Sequence, residues 1–597
     1  MHKHLHYVFL LFLLSAQLPA QLPETDLPRY LSEWEKSNYH KLAPGEVLES
    51  GFTAPPSVPV RTMAEWEELQ ALVITWRSQP AILTEIVRAA QQECRVIICC
   101  NDQATVSLAQ STLNSAGVNV NSNVTFLVVP NNSIWVRDYG PNCVYGNNVD
   151  SLYFVDWKYN RLTRPKDDTL PNSIALHLGV PLYTTTLAPD DLVNTGGNFM
   201  SDGMGTAFAS DLILSENEPG NEYNVSAKTE AEIDNIFFDY MGINRYIKMG
   251  KLPYDGIHHI DMHMKLLDEE TLLVGQYPDG VADGPQIEAN IQYVLSQFQS
   301  SFGTPYKVIR IPMPPQSGYY PDNGGDYRTY ANAVFVNKTV LVPFYQEQYD
   351  TTAQRIWEES LPGYKIVGID CNAIIPSLGA IHCITKEIGV DDPLRIVHKP
   401  VELVFVGPND PWKCPIVADV QHRSGIASVT VKYRRETETE WQTLALTQVA
   451  NPDSAFFWTG EIPDQSSYYG KMLYYIDAEA NSGKSLTRPM PGPEGPWDFP
   501  VILDVSATHE AQDVQLLDIY PNPARAITLI PVSVSAKTKG SIHIFNALGQ
   551  QLGTIFQGEF PAGQSNYFID AARYAPGTYF VELKTSGSSV LKKLLVR

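Results

Sequence analysis

Four short segments of this chain bring residues of catalytic type next to apolar runs. Ile134–Pro141 reads IWVRDYGP, Ile257–Lys265 reads IHHIDMHMK, Tyr330–Pro343 reads YANAVFVNKTVLVP, and Leu378–Thr385 reads LGAIHCIT. They supply Asp138, His259, Asp261, His263, Asn332 and Cys383. Each has a plain structural use: Asp138 beside Arg137 suits a salt-bridged turn, Asn332 suits a turn, and a His-Cys pair suits a core. Taken together they suit one demanding reaction, hydrolysis of a guanidinium. Its carbon is a poor electrophile because charge is spread over three nitrogens. Carboxylates must grip the planar cation, a thiolate must attack it, an imidazole must move protons, and walls must exclude bulk water. Asp138, Asp261, Cys383 and His259 offer one candidate for each role. A second reading uses His259, Asp261 and His263 at i, i+2, i+4. On a strand they would share a face and could hold zinc.

Elements to position these groups can be read from the same pattern. Between Arg61 and about Pro400, β-branched runs such as Leu72–Trp76, Val96–Cys100 and Val124–Val129 alternate with helical stretches such as Ile82–Gln92, the mark of an α/β domain. Beyond His398, period-two runs such as Val429–Tyr433 and Leu473–Ala478 suggest a β-sandwich, with Pro489–Pro500 (PMPGPEGPWDFP) read as the linker leaving it. Leu516–Arg597 again has an all-β pattern.

The chain has 597 residues and a net charge of −23, which argues against nucleic-acid or anionic-membrane binding. Its first residues, MHKHLHY followed by Val8–Ala16, have the anatomy of an export signal, and no stretch reaches the roughly 18 apolar residues of a membrane span. Residues 22–60, acidic and punctuated by proline, read as a pro-segment or extended arm. Seven cysteines, an odd and sparse set, do not make a disulfide scaffold. The expected division is 1–20 signal peptide, 21–60 arm, 61–397 catalytic domain, 398–500 Ig-like sandwich, 501–515 linker and 516–597 C-terminal domain.

WVRDYGP, HHID, YANAVFVNKTVLVP and GAIHC, in this order, resemble the Porphyromonas-type peptidylarginine deiminase and agmatine deiminase family from about Arg61 to Thr385. The resemblance implies a guanidino-group-modifying α/β-propeller of five ββαβ modules, without a cofactor. It implies Asp138 and Asp261 on the guanidinium, His259 as general acid/base, Cys383 as nucleophile, Asn332 orienting the site and Trp135 in the pocket wall. Asn194–Phe199 (NTGGNF) and Asp322–Tyr327 (DNGGDY) echo one another, and Asp138, Asn198, Asp261, Asn332 and Cys383 are spaced by 60, 63, 71 and 51 residues. One site-facing position per module would give such intervals. The Gly pairs are read as tight strand turns. At the C-terminus, IYPNPA, IHIFNALGQQL and PGTYFVEL resemble the sorting domain of the type IX secretion pathway, which implies that export machinery as a partner and a secreted or surface-attached protein.

The far end of the substrate must separate peptidyl arginine from agmatine. Lys158–Asp168 reads KYNRLTRPKDD, and Arg161 and Arg164 could bind the carboxylate of a C-terminal arginine. Peptidylarginine members carry a closely spaced Arg pair here; this chain has one extra residue between the two. The plain alternative is a pair of solvated arginines balanced by Asp167 and Asp168. The favoured expectation is a deiminase of peptide arginine. Agmatine deimination, a zinc hydrolase and a non-catalytic adhesin are its rivals.

Overall fold

A computed structural model describes residues 26–38, 51–406, 414–449, 456–463, 465, 468–503, 514–525, 527–546, 550–585 and 589–597. The expected signal peptide and most of the 501–515 linker lie outside the described residues.

One pattern recurs along residues 60–389. A short strand pairs antiparallel with the next, a helix crosses over, and a third strand lies parallel to the second. Met264–Leu266, Thr271–Gln276, helix Gly284–Gln297 and Lys307–Pro312 form one such unit. Val334–Val336, Thr339–Phe344, helix Glu347–Ser360 and Lys365–Asp370 form another. Asn142–Gly146 with Ser151–Tyr159 and Leu182–Thr185, and Met200–Ser201 with Thr206–Ser210 and Arg245–Met249, repeat it. In the remaining sheet the antiparallel partner comes from the far end of the domain. Lys386–Gly389 pairs with Leu69–Thr75, which in turn lies parallel to Arg95–Cys100. The last strand thus closes on the first, and this closure brings residues more than 300 positions apart into one site.

Parallel strands buried on both faces need continuous apolar sequence. Leu69–Thr75 and Arg95–Cys100 provide it, with Leu72, Val73, Ile74, Val96, Ile97, Ile98, Cys99 and Cys100 fully buried. Helices start where capping predicts: Asp102 accepts the Thr105 amide at 2.7 Å, and Thr229 and Glu232 form a reciprocal capping box.

Beyond the α/β domain, Arg395–Val397, Cys414–Gln421, Phe457–Ile462 and Thr447–Gln448 form one sheet. Val404–Val406, Trp497–Leu503, Gly470–Ala480, Ile426–Arg435 and Gln442–Ala445 form a second. The two enclose a core of their own that includes Ile416, Val431, Met472, Tyr474 and Phe499. This corrects the linker expected at Pro489–Pro500: Trp497–Leu503 is a strand paired with Gly470–Tyr474. The proline-rich composition hid it, although Trp497, Phe499 and Val501 keep the alternation of a strand. The described residues between 514 and 597 form two further sheets around a third core. All seven cysteines are free and buried.

Candidate active site

The five landmark residues occupy equivalent places in the fold. Asp138, Asn198, Asp261, Asn332 and Cys383 each lie two to four residues ahead of a strand that pairs antiparallel with a central strand of its sheet. Four of them sit in single helical turns, Val136–Tyr139, Gly196–Asn198, Ile260–Met262 and His382–Ile384. These segments read as strands in the sequence because their flanks are apolar. The flanks are instead turn residues buried in the centre. For the same reason His259, Asp261 and His263 do not lie along a strand: a helical turn spans 260–262. Among the described residues no group of His, Cys, Asp or Glu is arranged to hold a metal.

The pocket already contains a guanidinium, that of Arg29 in the N-terminal arm. Its Nε donates to Asp138 Oδ2 at 2.9 Å and its Nη2 to Asp138 Oδ1 at 2.7 Å. On the other side Nη1 reaches Asp261 Oδ1 at 3.2 Å and Nη2 reaches Asp261 Oδ2 at 3.3 Å. Nη1 also lies 2.5 Å from Cys383 Sγ. Arg29 thus presents one guanidinium to both carboxylates and to the Cys383 sulfur at once. Burial opposes its charge, but the two carboxylates outweigh it and push its pKa well up. Burial likewise opposes ionisation of Asp138 and Asp261, and Arg29 holds both below the usual carboxylate range.

Burial disfavours the charged forms of both Cys383 and His259. Burial pushes the Cys383 thiol well up, against the pull of Arg29 and with the help of Asp261 and Asp138. Burial, and then Arg29, lower His259 to about 3. Its Nε2 lies 3.0 Å from Thr195 Oγ1 and its Nδ1 3.5 Å from Asp138 Oδ1. The preceding residue, His258, has φ +60°, and its carbonyl accepts the Ser210 hydroxyl at 2.6 Å. That strained turn aims His259 inward.

Asn332 organises the thiol loop. Its Oδ1 accepts the amides of His382 at 3.1 Å and Ala380 at 3.2 Å, while its Nδ2 donates to Cys383 Sγ and to the Asp261 carbonyl, both at 3.1 Å. Arg137 pairs with Glu387 at 2.6 Å rather than with Asp138, which leaves Asp138 free for the guanidinium.

Sequence reasoning missed several members of this site. His382 bonds Asp261 Oδ2 through Nδ1 at 2.8 Å and Glu65 Oε1 through Nε2 at 2.9 Å, and Glu65 is also paired with Lys265. Its signal was the His of the IHCIT segment, overshadowed by the cysteine beside it. Gly197 was read as a turn glycine, but it has no positive φ. A Cβ there would lie 1.7 Å from Arg29 Nη2 and 2.7 Å from His259 Nδ1. Gly379 is similar, since a Cβ would meet the Trp135 ring at 2.4 Å and Cys383 Sγ at 3.1 Å. Arg29 itself belongs to no motif. Its one signal is that it is the sole arginine between positions 21 and 60.

The expected peptide-binding residues hold the backbone of the arm. Trp135 Nε1 donates to the Leu27 carbonyl at 2.8 Å, and Arg161 Nε to the Arg29 carbonyl at 3.0 Å. Arg164 Nη2 reaches the carbonyls of Pro28 at 2.7 Å and Tyr30 at 2.9 Å. The Arg29 amide donates to Ser377 O at 3.0 Å. Arg164 is fully buried and pairs with Glu35 of the arm. Asp167 accepts from the amides of Asn132 and Ser133, and Asp168 accepts from the Tyr159 amide. The picture of solvated arginines balanced by those two aspartates is therefore corrected.

The sequence pattern of the Porphyromonas-type peptidyl-arginine deiminase family matches residues 61–388, more than half of the chain. The chain belongs to that family. Residues 518–597 match the secretion system C-terminal sorting domain. A Vibrio parahaemolyticus protein named "Putative agmatine deiminase" is 25% identical over 309 residues, 47% of this chain and 83% of the relative. A Lactococcus lactis protein of the same name is 27% identical over 317 residues, 47% and 82% of the two chains. Among solved structures, one titled as an X-ray structure of an agmatine deiminase, also a provisional name, matches with TM-score 0.50 at 20% identity. The match covers 57% of this chain and all of that one, and supports the shared fold.

Proposed function

We propose that this chain is an exported deiminase that hydrolyses the guanidinium of arginine within peptides to the ureido group of citrulline, releasing ammonia. The observation that carries this reading is the way the main chain around Arg29 is held. Trp135, Arg161 and Arg164 donate to carbonyls on both sides of it, and Ser377 accepts its amide. Agmatine has no peptide groups to engage such contacts. The expectation of a C-terminal arginine broadens accordingly: the Arg161 Nε contact suits either an internal carbonyl or a terminal carboxylate at the same position.

In the mechanism that follows, Asp138 and Asp261 fix the plane of the guanidinium. Cys383 attacks the central carbon as a thiolate, with Asn332 orienting its loop. His259, having taken the thiol proton as the thiolate formed, passes it to the departing ammonia, which leaves an S-alkylthiouronium on Cys383. The same imidazole then takes a proton from a water that attacks this carbon, and the ureido product leaves with the thiol restored. His382, tied to Glu65, positions Asp261 and does not touch the reacting atoms. The five sheets are read as five modules of a pseudo-symmetric ring, the residues after 398 as an Ig-like sandwich, and the first twenty residues as a signal peptide.

A second reading, agmatine deimination, is favoured by the names of the two curated relatives. An assay of ammonia and ureido product with an internal-arginine peptide, an arginine-terminated peptide and agmatine, side by side on the Arg29→Ala chain, distinguishes them. Turnover of both peptides above that of agmatine is expected. Agmatine as the sole substrate would overturn the peptide reading.

A further inference from the structure

Residues 26–38 close the pocket as well as fill it. Arg29, Cys383 and His259 have no exposed surface, and Asp138 and Asp261 are each 1% exposed. The arm is gripped at two centres. One is the guanidinium. The other is Glu35, six residues further on and fully buried, whose carboxylate takes Arg164 Nε and Nη2, each at 2.9 Å, and the Thr163 hydroxyl at 2.8 Å. Glu35 also accepts the Ser32 amide at 2.9 Å while Ser32 Oγ accepts the Glu35 amide at 3.2 Å. This capping box starts the helix Glu33–Asn38 and shapes the arm for its seat.

We infer that residues 26–38 are an inhibitory peptide carried by the chain itself: Arg29 takes the place of a substrate arginine, and the site is latent while the arm is seated. The inference deepens the deiminase reading and rests on it. Three features make the arm an inhibitor rather than a substrate. Hydrolysis of a thiouronium needs a water at the central carbon, and the seated arm leaves the reacting groups no exposed surface. Glu35 and the main-chain contacts add to the hold of the guanidinium, and the arm stays seated only while both act. The arm also engages the side chains of Trp135, Arg161 and Arg164 together, and an external peptide would have to displace it from all three. Tethering gives such an occupant an effective concentration on the order of millimolar. With an intrinsic Kd of about 10–100 μM for the arm, that concentration raises the apparent Kd of an external peptide by about 10- to 100-fold.

The test compares the full chain with its Arg29→Ala and Glu35→Gln variants. A fluorescent synthetic peptide of residues 26–38 is titrated against each, and Arg29 of the full chain is examined by peptide mass spectrometry. The peptide is expected to bind Arg29→Ala about 10- to 100-fold tighter than the full chain, and Glu35→Gln by a smaller factor. Arg29 is expected to be recovered as arginine. Equal binding by the full chain and both variants would overturn the inference, and so would recovery of Arg29 as citrulline, since the arm would then be consumed. Ureido product from an unrelated arginine peptide is measured in parallel. Its absence in every variant would refute the deiminase reading, while the binding comparison still decides the role of the arm.

Discussion

The two ends of the arm-binding cleft are built from different materials. At the deep end, Asp138, Asp261 and Cys383 meet a guanidinium whose shape and charge are the same in every arginine derivative. At the shallow end, Trp135, Arg161, Arg164 and the Ser377 carbonyl meet peptide groups. The deep end is specified by side-chain chemistry, and each of its members has one job. The shallow end is specified by position: a tryptophan, two loop arginines and a main-chain oxygen, residues with many other uses elsewhere. In the proposed deiminase, chemistry and substrate choice would reside in separate residues, so that each end could be disabled without the other.

The largest effect is expected at the thiol. Cys383→Ser should lower kcat by about 10⁴-fold or more on every guanidine substrate, measured as ureido product in the Arg29→Ala background, with the thermal unfolding curve unchanged. Next come the carboxylates. Asp261→Asn or Asp138→Asn should cost about 10²- to 10³-fold in kcat/KM for peptide and agmatine alike. A loss restricted to peptide would break the division between the ends. Gly197→Ala should have a comparable effect by steric means, because its Cβ would fall 1.7 Å from the guanidinium nitrogen.

At the shallow end, Arg161→Ala in the same background should raise KM for an internal-arginine peptide by about 10-fold, the value of one charge-assisted hydrogen bond. It should leave KM for agmatine unchanged. Equal effects on both substrates would remove the recognition role. The smallest effect is one of pH. Burial opposes ionisation of Glu35, yet Arg164 and the Ser32 and Thr163 contacts lower its pKa from 4.5 to about 2. Its contribution to seating the arm is therefore complete above about pH 4.5 and is lost as pH falls toward about 2. Pepsin cleavage within residues 26–38 should rise across that window in the full chain, and should already be high throughout it in Glu35→Gln.

The same contrast explains what could be read in the sequence. Deep-end residues were legible because Asp138, His259, Asp261 and Cys383 form the minimal set for guanidinium chemistry, and because Asp138, Asn198, Asp261, Asn332 and Cys383 are spaced by 51 to 71 residues. The α/β texture of residues 61–397 was legible because parallel strands demand apolar runs such as Val96–Cys100. Local conformation was not. Trp135-Val136 and Ile381-His382 have strand composition but form turns, because burial around the site selects apolar residues whatever the backbone does. The strand Trp497–Leu503 was masked by prolines. Gly197 and Gly379 were illegible as site residues because their function is to leave room, which only a neighbour's position reveals. Arg29 was illegible for a deeper reason: its partners are 109, 232 and 354 residues away.

The central claim, attack by sulfur on a guanidinium carbon pinned by two acids, is tested most directly by trapping the intermediate. Arg29→Ala protein mixed with excess internal-arginine peptide, acid-quenched during turnover and digested, should give a Cys383 peptide carrying a thiouronium adduct, absent from the Cys383→Ser chain, which should form no citrulline. Citrulline formation at an undiminished rate by Cys383→Ser would contradict the account.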